Sequence, residues 1–285
     1  MTRKYIKRSG RVLLLLALIL ALGVVTPLGG VGELTAQAAE TTTTTTTETS
    51  TVKANYWKTK SKKVYYYGKD GKKVKGLTKI GGKYYYFDSK GVQRTGWQKI
   101  DGSYYYFKVA NKTKGYMVKN KKVNGIKLKK SGKASTSGNA KSKLKVLVKA
   151  QKYMQKATKP TQTKKQKLKS CWNYLLKHTK YTGYEKFKKT SHWDQTYALK
   201  IFDKGKGTCF AMGAAFAYLA NACGYTKCYV VEGDGHGWAE IKGKVYDPSW
   251  ATVDKKHDYF GMAYKLSGKD GRRNFWKYRT VVKKI

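Results

Sequence analysis

Gly205-Lys206-Gly207-Thr208-Cys209-Phe210-Ala211-Met212-Gly213-Ala214-Ala215-Phe216-Ala217-Tyr218-Leu219-Ala220-Asn221-Ala222-Cys223-Gly224-Tyr225 is a glycine-rich turn that runs into a stretch of small residues. Thr208 suits the start of a helix, where its side chain can cap a free N–H, and Gly224 suits the end. The predicted helix therefore begins at Cys209. Its first turn carries unpaired backbone N–H groups and the positive end of the helix dipole, which favour an anion. Ala211, Gly213, Ala214, Ala215 and Ala217 let neighbours approach closely, so the helix is expected to be buried with its N-terminus at a cleft. A thiol placed there is built as a nucleophile.

Such a thiol needs a base, and His236-Gly237-Trp238-Ala239-Glu240-Ile241-Lys242-Gly243-Lys244-Val245-Tyr246-Asp247-Pro248-Ser249-Trp250 supplies one. If Lys242-Gly243 is the two-residue turn of a hairpin, Trp238 pairs with Asp247. His236, two residues before Trp238, then points to the same face, and imidazole and carboxylate become diagonal neighbours. Taken singly, each residue has a plainer reading: a small buried Cys, a His in a glycine-rich turn, an Asx turn before Pro248. It is their joint order that carries the chemistry.

Gly207-Thr208-Cys209 opening a helix, His236-Gly237-Trp238 on one strand and Tyr246-Asp247-Pro248-Ser249-Trp250 on the next resemble the transglutaminase-like superfamily, papain-related cysteine enzymes of α+β fold. The resemblance spans residues 143–285 and implies that Cys209 is the nucleophile, His236 the general base and acid, and Asp247 the group that orients the imidazole. It implies acyl transfer from a protein or peptide amide, with amine attack giving a crosslink and water giving a peptidase or deamidase. The family needs an oxyanion donor. His192, Trp193 and Gln195 lie in the right stretch, beside the Cys209 backbone N–H. No cofactor is implied. Cys171, Cys223 and Cys228 lack paired metal spacing and do not cluster with the histidines, so no metal site is expected and separate burial is favoured over a Cys223–Cys228 bridge.

Ahead of the cysteine helix, Leu144, Leu147, Val148 and Met154 recur at helical spacing, and so do Leu168, Trp172, Leu175 and Leu176 after a break at Pro160. The polar run 129–142 reads as a linker. Before it lies a twenty-residue repeat: Trp57, Leu77 and Trp97 recur in step with Tyr66, Tyr86 and Tyr106, and Gly82 with Gly102. Each copy is a short aromatic run bounded by Gly-Gly or Asp-Gly turns, the signature of a β-hairpin. Stacked hairpins would cover one another's aromatic faces, so residues 55–128 are expected to form a small hairpin solenoid. Gly76-Leu77 through Gly81-Gly82-Lys83-Tyr84-Tyr85-Tyr86-Phe87, and Gly96-Trp97 through Asp101-Gly102-Ser103-Tyr104-Tyr105-Tyr106-Phe107, resemble the choline-binding and glucan-binding type of cell-wall repeat found on Gram-positive surface proteins. The resemblance implies an anchor to a wall polymer or glycan, with choline and teichoic acid among the ligands. Trp97, Tyr85, Tyr86, Tyr105 and Tyr106 are the candidate ligand residues. Leu77 replaces one cage tryptophan, and Tyr84 and Tyr104 stand where a Trp-Tyr-Tyr run would begin, which weakens a cage built for a quaternary ammonium.

The N-terminus reads as an address. Arg3, Lys4, Lys7, Arg8 and Arg11 precede the apolar stretch Val12–Val25, and Ala36-Gln37-Ala38 fits a cleavage site, so residues 1–38 are expected to be a secretory signal peptide that leaves no membrane span once removed. Residues 39–54 are a threonine-rich spacer. The expected protein is thus multidomain, secreted and wall-associated.

Charge fits that reading. The chain has 61 Lys and Arg against 16 Asp and Glu, a formal +45. Residues 52–133 carry 24 Lys and Arg against 3 Asp, and residues 141–285 carry 32 basic against 10 acidic residues. Such an even spread suits adhesion to an anionic wall better than a localised nucleic-acid footprint, leaving nucleic-acid binding incidental. The alternative to an enzyme is a non-catalytic basic adhesin that holds wall polymers through the aromatic repeats.

Overall fold

The computed structural model describes residues 53–61, 63–109 and 115–285; the expected leader and the threonine run lie outside them. From Thr51 to Ile285 the chain forms one compact body. Among the described residues no helix is long and apolar enough to cross a membrane.

The repeats fold as repeat-type β-hairpins. Strand β1 (Tyr56–Lys60) pairs with β2 (Lys63–Tyr67), β3 (Gly76–Ile80) with β4 (Lys83–Phe87), and β6 (Gly96–Ile100) with β7 (Ser103–Phe107), while the two-residue β5 (Gln93–Arg94) adds to β4. The registers match copy for copy: Trp57 opposite Tyr66, Leu77 opposite Tyr86, Trp97 opposite Tyr106. Gly81-Gly82 and Asp101-Gly102 all have positive φ, as a tight turn between right-twisted strands requires. Successive hairpins meet through rings. Trp57 lies edge-on to Tyr85 with centroids 5.0 Å apart, and Tyr86 stacks on Phe107 at 6.0 Å. A short fourth hairpin, β8 (Lys122–Val123) and β9 (Ile126–Lys127), follows.

The C-terminal part is α+β. Helices α1 (Ala140–Ala157) and α2 (Lys164–His178) are broken around Pro160 as their periodicity predicts. A capping box between Thr163 and Gln166 starts α2. Then come β10 (Lys180–Tyr181), α3 (Trp193–Lys204), β11 (Lys206–Gly207) and α4 (Cys209–Ala222). Strands β12 (Cys228–Gly233), β13 (His236–Ile241), β14 (Lys244–Tyr246), β15 (Phe260–Met262) and β16 (Val281–Lys284) form an antiparallel sheet in the order β15-β14-β13-β12-β16, with the short α5 (Trp250–Val253) after β14. Helix α4 packs on β12 and β13 and against α1, α2 and α3, and nearly all its side chains are buried.

Separate cores joined by a free linker are not what the packing gives. Trp97, Ile126, Leu128 and Ala134 belong to the same hydrophobic cluster as α1 and α4. The Trp97 indole N–H donates to Asn124 Oδ1 at 2.9 Å, and the Asn124 amide donates to Asn221 on α4 at 3.0 Å. Strand β6 approaches α1 so closely that a methyl group at Gly96 would fall 2.0 Å from the Gln151 amide oxygen. Within 129–142, Gly132 and Ala134 are buried. The physical reason is size: hairpins of five-residue strands cannot bury a tryptophan by themselves, so the third copy completes its core on the larger half.

Candidate active site

The hairpin turn decides where the imidazole and carboxylate go. Lys242 and Gly243 both have positive φ (53° and 73°), a two-residue turn, so Ile241 faces Lys244, Glu240 faces Val245 and Ala239 faces Tyr246. His236 at the start of β13 then comes beside Asp247 just past β14. The His236 Nε2–H donates to Asp247 Oδ2 at 2.5 Å.

Two glycines bring the cysteine to this pair. A methyl group on Gly237 of β13 would lie 2.6 Å from the Phe210 ring and 2.9 Å from the Phe210 Cα. A methyl group on Gly213 of α4 would lie 2.7 Å from the Trp238 Cα. Helix and strand touch backbone to backbone, one residue beyond Cys209 and one beyond His236. Cys209, His236 and Asp247 are 4%, 7% and 0% exposed, so the cluster is shielded from bulk water. Thr208 occupies the cap position, but its hydroxyl does not cap α4; it donates to Glu185 at 3.2 Å, and Glu185 also holds Lys200 at 2.6 Å.

Burial opposes a charge on His236, but the Asp247 carboxylate and its hydrogen bond, joined by a hydrogen bond with Cys209, overcome it and push the imidazole up to about 10. For Asp247, burial likewise opposes ionisation, and the His236 charge together with hydrogen bonds from His236, Ser249 and Trp250 holds the carboxyl below its ordinary value.

The Asx turn read at Asp247 is present, and Trp276, Phe275 and Tyr181, which carried no legible signal, join the site's surroundings. The Ser249 hydroxyl and Trp250 N–H donate to Asp247 Oδ1 at 2.6 and 3.0 Å, so Asp247 does form an Asx-type turn while serving His236 with its other oxygen. Trp276, fully buried, donates its indole N–H to Asp247 Oδ2 at 3.0 Å, and the Phe275 ring lies 4.9 Å from the imidazole. Tyr181 on β10 pairs with Gly207, two residues ahead of Cys209. Burial raises the Tyr181 hydroxyl, and the charges of Cys209 and Asp247 raise it further, which puts that hydroxyl in the site's field.

The three side chains read from the sequence as oxyanion donors each have a defined place. Trp193 is buried against Phe187, the Gln195 amide oxygen accepts from Ser142 at 2.7 Å, and His192 occupies the start of α3. The four cysteines are all buried free thiols. Cys223 does not face Cys228: its sulfur lies 3.7 Å from Cys171, while Cys228 donates to the Tyr225 carbonyl and is pushed up to about 12 by burial.

The candidate ligand rings divide. Trp97 is 3% exposed, its face against Tyr106 and its N–H on Asn124. Tyr85 and Tyr105 are both 8% exposed, and Tyr86 is half-buried on Phe107. The first copy contributes Trp57, packed on Tyr66, Tyr85 and Phe87.

A small-residue helix thus begins with a cysteine beside a strand that carries one half of a buried His-Asp pair. Residues 150–255 match the transglutaminase-like superfamily, and residues 74–121 match the choline-binding repeat. The chain thus carries a transglutaminase-like domain and choline-binding repeats. Among solved structures, choline binding protein F from Streptococcus pneumoniae, in the presence of a peptidoglycan analogue, is 32% identical over 29% of this chain and 28% of its own, with a TM-score of 0.26. The choline binding domain of another Streptococcus pneumoniae protein is 25% identical over 29% of this chain and 95% of its own, TM-score 0.26. A multimodular pneumococcal cell wall endolysin from phage Cp-1, complexed with choline, is 33% identical over 29% and 25%, TM-score 0.25. The chain spans 26% and 28% of the length of two choline binding protein F structures that it matches. No curated protein matches.

Proposed function

We propose that this is an exported, wall-held cysteine acyl-transfer enzyme acting on protein or peptide amides. The observation that carries the reading is the buried His236–Asp247 pair, 2.5 Å apart, with His236 on the strand that α4 meets backbone to backbone just beyond Cys209, at the N-terminus of that helix. His236 takes the thiol proton, the Cys209 sulfur attacks the amide carbonyl, and a tetrahedral oxyanion forms. Asp247 holds the resulting imidazolium, which then protonates the departing amine and leaves a thioester. An amine or water resolves the thioester through the same imidazole. The Cys209 backbone N–H at the first helical position is the donor the oxyanion meets, and Tyr181, on the strand paired with Gly207, is the side chain we propose to test as a second. A helix-borne Cys209, a strand-borne His236 and Asp247 just past β14 support the papain-like reading, and ring contacts between successive hairpins support the solenoid reading of residues 55–128.

The test is incubation with a casein-like acceptor and a tagged primary amine. Amine incorporation lost in Cys209→Ala supports crosslinking; peptide or ammonia release without incorporation supports hydrolysis. Neither product, with wall binding intact, leaves a basic adhesin.

A further inference from the structure

Lysines stand over the rings of several hairpin tyrosines. Lys73 stands over Tyr65 at 4.4 Å, Lys119 over Tyr84 at 4.4 Å, and Lys83 over Tyr116 at 4.8 Å. Tyr56, Tyr67 and Tyr104 carry Lys53, Lys58 and Lys99 at 5.3, 6.0 and 5.8 Å. These lysines are exposed, and the rings beneath them are half-buried. The other tyrosines of the three copies pack on rings or in the core: Tyr66 and Tyr85 on Trp57, Tyr86 on Phe107, Tyr106 on Trp97, and Tyr105 in a cluster with Phe107 and Met117. Trp97, which would line a cage in the third copy, is turned into the shared core, and the second copy offers Leu77, 39% exposed, in place of an indole.

Choline, a neutral sugar ring and a nucleic-acid base all need a ring face to bind on. At the tyrosines named, such a ligand would have to displace a lysine or open a packed pair. What the surface does present is the ammonium groups themselves, held in place by the rings behind them. Residues 52–133 carry 24 Lys and Arg against 3 Asp, and Asp88 is engaged by Arg94 at 2.5 Å. We infer that the hairpin surface grips a phosphodiester-linked anionic wall polymer through tyrosine-backed lysines, and is not a receptor for quaternary ammonium. The inference rests on the wall-anchor reading above and narrows its ligand. Bidentate forks are not required for this, because a lysine meets a phosphate as a point charge.

The full chain is tested on cell-wall sacculi before and after hydrofluoric acid removes their phosphodiester polymer. Retention on intact sacculi is expected to disappear on stripped ones. It should also fall on the order of a thousandfold between about 50 and about 200 mM salt if roughly six phosphates are contacted. Millimolar choline at low salt should release nothing. A variant with Lys58, Lys73, Lys83, Lys99 and Lys119 changed to Gln should keep the melting temperature, since those side chains are exposed, and show a shallower salt dependence. Release by choline, or undiminished binding to stripped glycan, overturns the ligand assignment and leaves the anchor. Tighter binding to single-stranded DNA than to intact sacculi at equal phosphate overturns the choice of polymer. No retention on either sacculus at low salt overturns the wall-anchor reading itself.

Discussion

Replacing Gly237 by alanine isolates the contact that joins nucleophile and base. The new methyl group would sit 2.6 Å from the Phe210 ring, 2.9 Å from its Cα and 3.1 Å from its backbone nitrogen. The ring can rotate aside, but the backbone of α4 cannot. Ordinary contact begins near 3.4 Å, so helix and strand must part by about 0.5 Å at the residues next to Cys209 and His236. Overpacking of this kind costs about 1–3 kcal/mol, and a misplacement of about 1 Å costs ~100-fold in rate. The expected result is a roughly tenfold or greater slowing of iodoacetamide labelling at Cys209, read by mass spectrometry, with a melting temperature lower by several degrees. Gly102→Ala is the control: nothing lies within 4 Å of its methyl group, and it meets only the left-handed backbone penalty, about 1–2 kcal/mol, in a turn of the repeats. If Gly237→Ala labels as fast as wild type, close approach of α4 to β13 is not what assembles the site.

If Tyr181, whose strand pairs with Gly207, donates to the oxyanion, Tyr181→Phe should lower turnover about 100-fold with little change in melting temperature; unchanged turnover assigns Tyr181 to packing. The stability contributed by the His236–Asp247 pair has a defined pH window. Because the folded His236 value is raised from 6.5 to about 10, its contribution is complete below pH 6.5 and fades as pH rises toward 10; because Asp247 is lowered, its contribution is present above pH 3.8 and fades in acid. The melting-temperature difference between wild type and His236→Gln should therefore be largest between pH 4 and pH 6.5 and shrink on both sides; a flat difference contradicts it. Trp97→Ala removes an indole from the shared core and should cost about 3–5 kcal/mol, and a chain starting at Ser142 should melt below the full chain. Equal melting of the two would mean independent cores.

Much of the site was legible because it is local. The parity of β13 and β14 depends only on a Lys-Gly turn of two residues, and the thiol's place depends only on where a run of small residues begins. The twenty-residue register of the hairpins was legible for the same reason. What could not be read was contact across the chain. Trp276 reaches Asp247 from 29 residues away with no periodicity to announce it. Thr208 has the right type and position for a cap, yet the Glu185 carboxylate takes its hydroxyl, a tertiary partner outbidding a local one. Trp97 looks like its counterpart Trp57 in sequence, and only the neighbouring α1 and Asn124 make it a core residue.

The shared core has a mechanical consequence. A catalyst on a flexible leash explores a sphere, and its encounter rate falls with the volume swept. Here the hairpins and α4 are parts of one folded body, coupled through Trp97, Asn124 and Asn221. Whatever grips the hairpins fixes the heading of the helix that carries Cys209. If the chain is the wall-held enzyme proposed above, substrate search is left to the mobility of the substrate, and Cys209 works a shell of fixed depth above the anchorage, as a tool clamped to a bench does.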